Sequence, residues 1–110
     1  MQTITTAFQS KSGTSVRYGI GTWAVPITIE KVFVYVYQKP DSGNLDIGWD
    51  YVDPDEVVDN FSLNSLTNNV PQQLSIVDSF VPAGTALDLK IGACTHTPGV
   101  GGVITIHYHR

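Results

Sequence analysis

Two-residue alternation of apolar side chains, cut by turns rich in proline and glycine, is the feature that most constrains this chain. Leu87, Leu89, Ile91 and Ala93 alternate with Asp88, Lys90, Gly92 and Cys94. Leu45, Ile47, Trp49 and Tyr51 alternate with Asp46, Gly48 and Asp50, and Ile104, Ile106 and Tyr108 with Val103, Thr105, His107 and His109. Successive side chains of a pleated strand point to opposite faces, so each segment predicts a strand with one buried face. Further strands are expected near residues 2–8, 15–23 and 72–80. The stretch 57–67 reads two ways. Val57, Val58, Phe61 and Leu66 fit a short helix, while Phe61, Leu63 and Ser65 fit a strand.

Turn chemistry separates these segments. In residues 39–44, Pro40 fixes φ, Asp41 is placed to cap the turn and Gly43 to take positive φ. Residues 81–85 and 97–102 repeat the theme with Pro82 and Gly84, then Pro98 and Gly99. Composition agrees, because Val, Ile, Thr, Tyr, Phe and Trp total 44 residues against 25 for Ala, Leu, Glu, Lys, Gln, Met and Arg. A chain of 110 residues makes one domain and buries roughly two thirds of its unfolded surface, enough for one core. The expected fold is therefore all-β: an antiparallel β-sandwich, jelly-roll-like, of seven to eight strands. It is expected to span residues 1–110 as a single domain, with 1–26 as N-terminal strands or an arm. Leu45, Ile47, Trp49, Leu87, Leu89, Ile91, Ile104 and Ile106 are expected in its core, and helix only as a turn or two around 57–67.

Charge excludes several functions. The formal net charge is −4, and six Lys and Arg are scattered from Lys11 to Arg110. Counterion release from a nucleic acid needs clustered cations, so direct nucleic-acid binding is not expected. A lone Cys94 rules out an internal disulfide. Residues 1–25 lack the basic start and apolar run of a secretory leader, and no run of 18 apolar residues occurs. Synthesis in a cytoplasm and no membrane span are the expectations.

Residues that carry chemistry in other contexts fail on spacing. Gly19, Gly21 and Ala24 match a loose dinucleotide fingerprint, but the β-branched run after them, with Pro26, denies the helix that must receive the pyrophosphate. Asp46, Asp50, Asp53, Asp55, Glu56 and Asp59 crowd one segment, yet Pro54 breaks the calcium-loop pattern, and a solvated acidic edge is expected instead. His107 and His109 share a strand face. A hairpin over 97–102 would set His107 opposite Gly92, or near Cys94 with a two-residue register shift, and leave His96 about 13 Å along the strand, too far to close a zinc site. Cys94 with His107 would be the one nucleophile pair, with no third group to orient it. No metal, cofactor or catalytic residue is expected, and Trp49 and Tyr51 are read as core rather than as sugar-stacking platforms.

One strand breaks the one-wet-face rule. In residues 32–38, Val32, Val34 and Val36 form one face, and Phe33, Tyr35 and Tyr37 the other. Both faces want cover. A long loop of the same chain would provide it, or a neighbouring subunit would, since aromatic residues are enriched at interface cores.

The series from Ile27 to Val36, then Pro40 to Gly48, Val81 to Ile91, and Pro98 to Tyr108 resembles small β-sandwich virion proteins of tailed bacteriophages. The resemblance covers residues 27–110 and rests on turns and strand patterns. It implies a non-enzymatic structural role in a virion: a capsid decoration (cement) protein on the major capsid protein, often trimeric. Related modules in phage tails and fibres imply an alternative, a receptor- or carbohydrate-binding sandwich. The resemblance supplies no functional residues; Phe33, Tyr35 and Tyr37 are the expected oligomer or partner interface.

Overall fold

The computed structural model describes residues 1–110. Nine strands form: β1 (Gln2–Phe8), β2 (Val16–Thr22), β3 (Ile27–Gln38), β4 (Asn44–Gly48), β5 (Val58–Ser62), β6 (Gln72–Leu74), β7 (Phe80–Val81), β8 (Ala86–Ile91) and β9 (Val100–His109). They build two antiparallel sheets packed face to face. The larger runs β1-β9-β3-β6 with β7 also on β3, and the smaller runs β2-β8-β4-β5. The fold is an all-β sandwich, with one or two strands more than the sequence patterns indicated. The only helical residues are a single 3₁₀ turn at Leu63–Ser65, inside the stretch that read two ways; β5 takes the part before it.

The alternation sorts residues onto faces as expected. Leu45, Ile47, Leu87, Leu89, Ile91, Ile104 and Ile106 are completely buried, joined by Val32 and Val34 from β3. Each such aliphatic side chain contributes about 1.5–3 kcal/mol on burial, so this layer is what holds the two sheets together.

Three expectations fail where a strand stops sooner than its pattern. Trp49 only packs partly against the core, and Tyr51 is 87% exposed, because β4 ends at Gly48 and the chain turns over its own strand. A Cβ at Gly48 would lie 2.7 Å from the backbone of Pro54 and of Glu56, so only glycine admits that crossing. Ala93 is exposed and Cys94 buried, the reverse of the alternation, because β8 ends at Ile91. The 72–80 strand is two short pieces, β6 and β7, separated by a loop.

A fourth correction concerns pairing. β8 and β9 do not form a hairpin; β8 pairs with β2 and β4, β9 with β1 and β3. The segment between them crosses from one sheet to the other. Two distant loops hold it there: Cys94 N donates to the Lys11 carbonyl at 3.0 Å, Gly99 N to the buried Ser10 hydroxyl at 2.9 Å, and His96 N to Asp41 Oδ2 at 2.9 Å. Asp41 thus caps the 95–96 backbone rather than its own turn. β9 also begins before the expected turn has ended, with Gly102 buried under the Phe8 ring. A Cβ at Gly102 would lie 2.3 Å from that ring.

Candidate interaction surface

The outward positions of the large sheet line up across three long strands. Thr3, Thr5 and Ala7 of β1 stand beside His107, Thr105 and Val103 of β9, which stand beside Lys31, Phe33 and Tyr35 of β3. A register shift between Ile29 and Lys31 turns Glu30 aside, where its carboxylate lies 3.2 Å from His109 Nδ1. The middle of this face therefore holds threonine, alanine, valine and aromatic side chains and no carboxylate. Charge is confined to Lys31 and Glu30 at one end.

The aromatic stripe lies here as the β3 pattern required, since Val32, Val34 and Val36 fill the core on the opposite face. Phe33 meets His107 at a tilt with ring centroids 5.3 Å apart, and Tyr35 meets Tyr37 edge-on at 5.2 Å. Part of the cover comes from the chain itself. Asn69, in the segment after the 3₁₀ turn, accepts a hydrogen bond from the Tyr35 hydroxyl at 3.0 Å. Phe33 and Tyr35 are half-buried, but Tyr37, whose ring lies over Gly101, stays 56% exposed.

The other candidates are dispersed or held by the fold. Cys94 is buried in the segment between β8 and β9 with its Sγ 3.6 Å from the Ser12 hydroxyl, while His107 lies on the outer face of the large sheet against Phe33, so the pair considered for nucleophilic chemistry does not meet. Gly19 and Gly21 flank a register shift in β2, a kinked strand and not a phosphate loop. Three of the six acids of 46–59 bind nearby backbone: Glu56 Oε1 accepts from Trp49 N at 2.7 Å and Asp50 N at 3.1 Å, Asp50 Oδ1 from Val52 N at 2.8 Å, and Asp46 Oδ1 from Asn60 N at 2.6 Å. Burial pushes the Asp46 carboxyl above its ordinary value, against the Asn60 N–H and with Asp53 and Asp59 adding to the rise. The N–H groups of Asp53 and Val52, helped by the Arg17 guanidinium, hold Asp50 below its ordinary value.

Arg17 was not singled out by sequence reasoning. It donates to Asp88 Oδ2 at 3.0 Å and to the carbonyls of Asp50 and Tyr51, and its guanidinium carbon sits 5.5 Å from the centre of the Tyr51 ring. With Ser15, Val16 and Lys90 these two side chains line an open cleft of about 290 Å³. Arg17 and Asp88 both occupy wet positions of strands, but nothing local tells that β2 and β8 are neighbours.

No family model matches the chain, and no curated protein sequence matches it. Among solved structures, the chain is similar to one in the cyanophage Pam1 capsid asymmetric unit, with a TM-score of 0.59 and 11% identity over 98% of this chain and 82% of that one. At that identity the likeness is one of fold.

Proposed function

We propose that this protein is a non-enzymatic virion structural protein: a capsid decoration (cement) protein, located on the capsid surface, that binds the major capsid protein lattice and stabilises the head. The observation that carries the reading is the fold shared, over almost the whole chain, with a component of a phage capsid. Residues 1–110 act as one sandwich domain, and the order β1-β9-β3-β6 over β2-β8-β4-β5 supports the jelly-roll-like reading. The role asks for a rigid scaffold and an uncharged face, not for a reactive group. Binding only to the assembled shell stabilises that state by mass action, and many symmetric copies multiply a modest gain per site.

Phe33, Tyr35 and Tyr37 form the oligomer or partner interface in this reading, and the homotrimer comes from the resemblance to phage virion proteins. Aromatic side chains bury roughly 150–250 Å² each, a patch that closed symmetry hides without generating filaments. Tyr35→Asp places a carboxylate in that contact at a cost of several kcal/mol. The homotrimer is then expected to come apart while each sandwich stays folded, and the variant no longer co-sediments with expanded heads of the phage that encodes the protein. A wild-type chain that is monomeric and also fails to co-sediment would sink the reading.

The exposed Tyr51 beside Arg17 and Lys90 favours the second reading, a tail- or fibre-associated receptor- or carbohydrate-binding module. A glycan array with wild type and Tyr51→Ala separates the two. Retention of a glycan that the variant loses supports the module, and no retention supports cement.

A further inference from the structure

The sandwich has four sheet edges, and three are blunted. β6 and β7 are three and two residues long, β2 carries Arg17 and a register shift between Gly19 and Gly21, and β5 carries Asp59 and the positive φ (57°) of Asn60. Short length, charge and irregular backbone are the devices that stop edges from pairing with other chains. The fourth edge, β1, has none of them. Its seven residues contain no charge, proline or bulge, and four are Thr or Ile, which favour strands.

β1 pairs only with β9, and no backbone or side-chain bond outside that ladder involves residues 2–8. Half of its backbone N–H and C=O groups therefore point away from the sheet with no partner in the chain. On the inward side, Ile4 touches the space beside Gly21 and Trp23 and is only half-buried, so the open edge is apolar as well as unpaired.

Charge selects the occupant. The protein is acidic overall, yet its first carboxylate is Glu30, and neither β1 nor its neighbours β9 and β2 contain one. This is the edge at which two copies approach without carboxylates facing each other. We propose that β1 is a strand-addition site for β1 of a second copy, the two strands running antiparallel about a twofold axis at Thr5. Such a pairing joins the two large sheets into one and sets Thr5 opposite Thr5, Thr3 opposite Ala7 on the outer face, and Ile4 opposite Thr6 on the inner one. Like residues meet like at the axis, and no pair in the register carries charge. The contact is separate from the aromatic stripe and does not depend on it.

Charge exchange at the axis tests it. Thr5 is exposed and points outward, so Thr5→Lys and Thr5→Glu leave the sandwich folded, while each places like charges opposite one another at the twofold. By sedimentation at high micromolar concentration, each variant alone is expected at half the wild-type mass, and their equimolar mixture back at the wild-type mass. Tyr35→Asp protein, whose aromatic contact is removed, is expected to remain a dimer. A monomeric wild type, variants of unchanged mass, or a mixture that stays at half mass would each overturn the proposal.

Discussion

The outer face of the small sheet and the outer face of the large one share a core and differ in almost everything else. On the small sheet, Asp46 stands opposite Lys90, and Arg17, on the other side of Lys90, is paired with Asp88, so charges of both signs cover this face; the 49–56 segment folds down over Gly48 and is tied to that surface by Glu56 and Arg17. On the large sheet, Thr5, Thr105, Val103, Phe33 and Tyr35 lie side by side with no carboxylate among them and no loop laid across, apart from the reach of Asn69. Both strand patterns are equally good at filling the core. The difference teaches that inward residues set the fold, whereas outward residues decide whether a sheet ends at water, at its own loops or at another chain.

A change in the shared core breaks both faces alike and sets the largest expected effect. Leu89 is completely buried, and Leu89→Ala is expected to destabilise by about 2–5 kcal/mol, read as a lowered urea midpoint with loss of binding at either face. A loss confined to one face would mean that the sheets fold independently.

Glu56→Ala acts on the small-sheet face alone. It removes a charged acceptor from two backbone N–H groups, expected to cost about 2 kcal/mol and to lower Tm by roughly 10 °C. Protease nicking should rise within 50–56 while the oligomeric state stays unchanged. A variant whose oligomer dissociates would erase the distinction between the faces.

Acid gives the smallest effect and sharpens the same contrast. Asp50 is held below its ordinary value, so its contribution is present above 3.8 and is lost as pH falls through its lowered folded value. Asp41 behaves likewise: burial pushes it up, but hydrogen bonds from His96, Thr97, Ser42 and Thr95 together outweigh that. Asp46, raised by burial, runs the other way and stabilises the acid form. Asp50→Asn is therefore expected to flatten, without abolishing, the fall of Tm below pH 3.8. An unchanged slope would show that the Asp50 carboxylate does not hold the loop.

The candidate surface was legible to the extent that alternation is local. Residues 32–38 announced two apolar faces, and the structure sets one in the core and the other on the outside of the large sheet. The loop that reaches Tyr35 through Asn69, and the Arg17 contacts with Asp88 and Tyr51, were not legible, because they join residues 34 to 71 positions apart.

By itself, the sequence determined the faces: which of Leu45, Ile47, Leu87, Leu89, Ile91, Ile104 and Ile106 point inward, and that turns rather than helices link them. The period of two follows from the geometry of one extended strand and needs no partner. Partners were decided only in three dimensions. Backbone N–H and C=O groups are the same at every residue, so a strand pattern does not say which strand it pairs with. β8 and β9 looked like a hairpin until Ser10, Lys11 and Asp41 supplied the hydrogen bonds that carry residues 92–99 across to the other sheet. Strand ends were decided there too. The apolar pattern of β4 runs on through Trp49 and Tyr51, but Glu56 takes up the Trp49 and Asp50 N–H groups, and the ladder stops at Gly48.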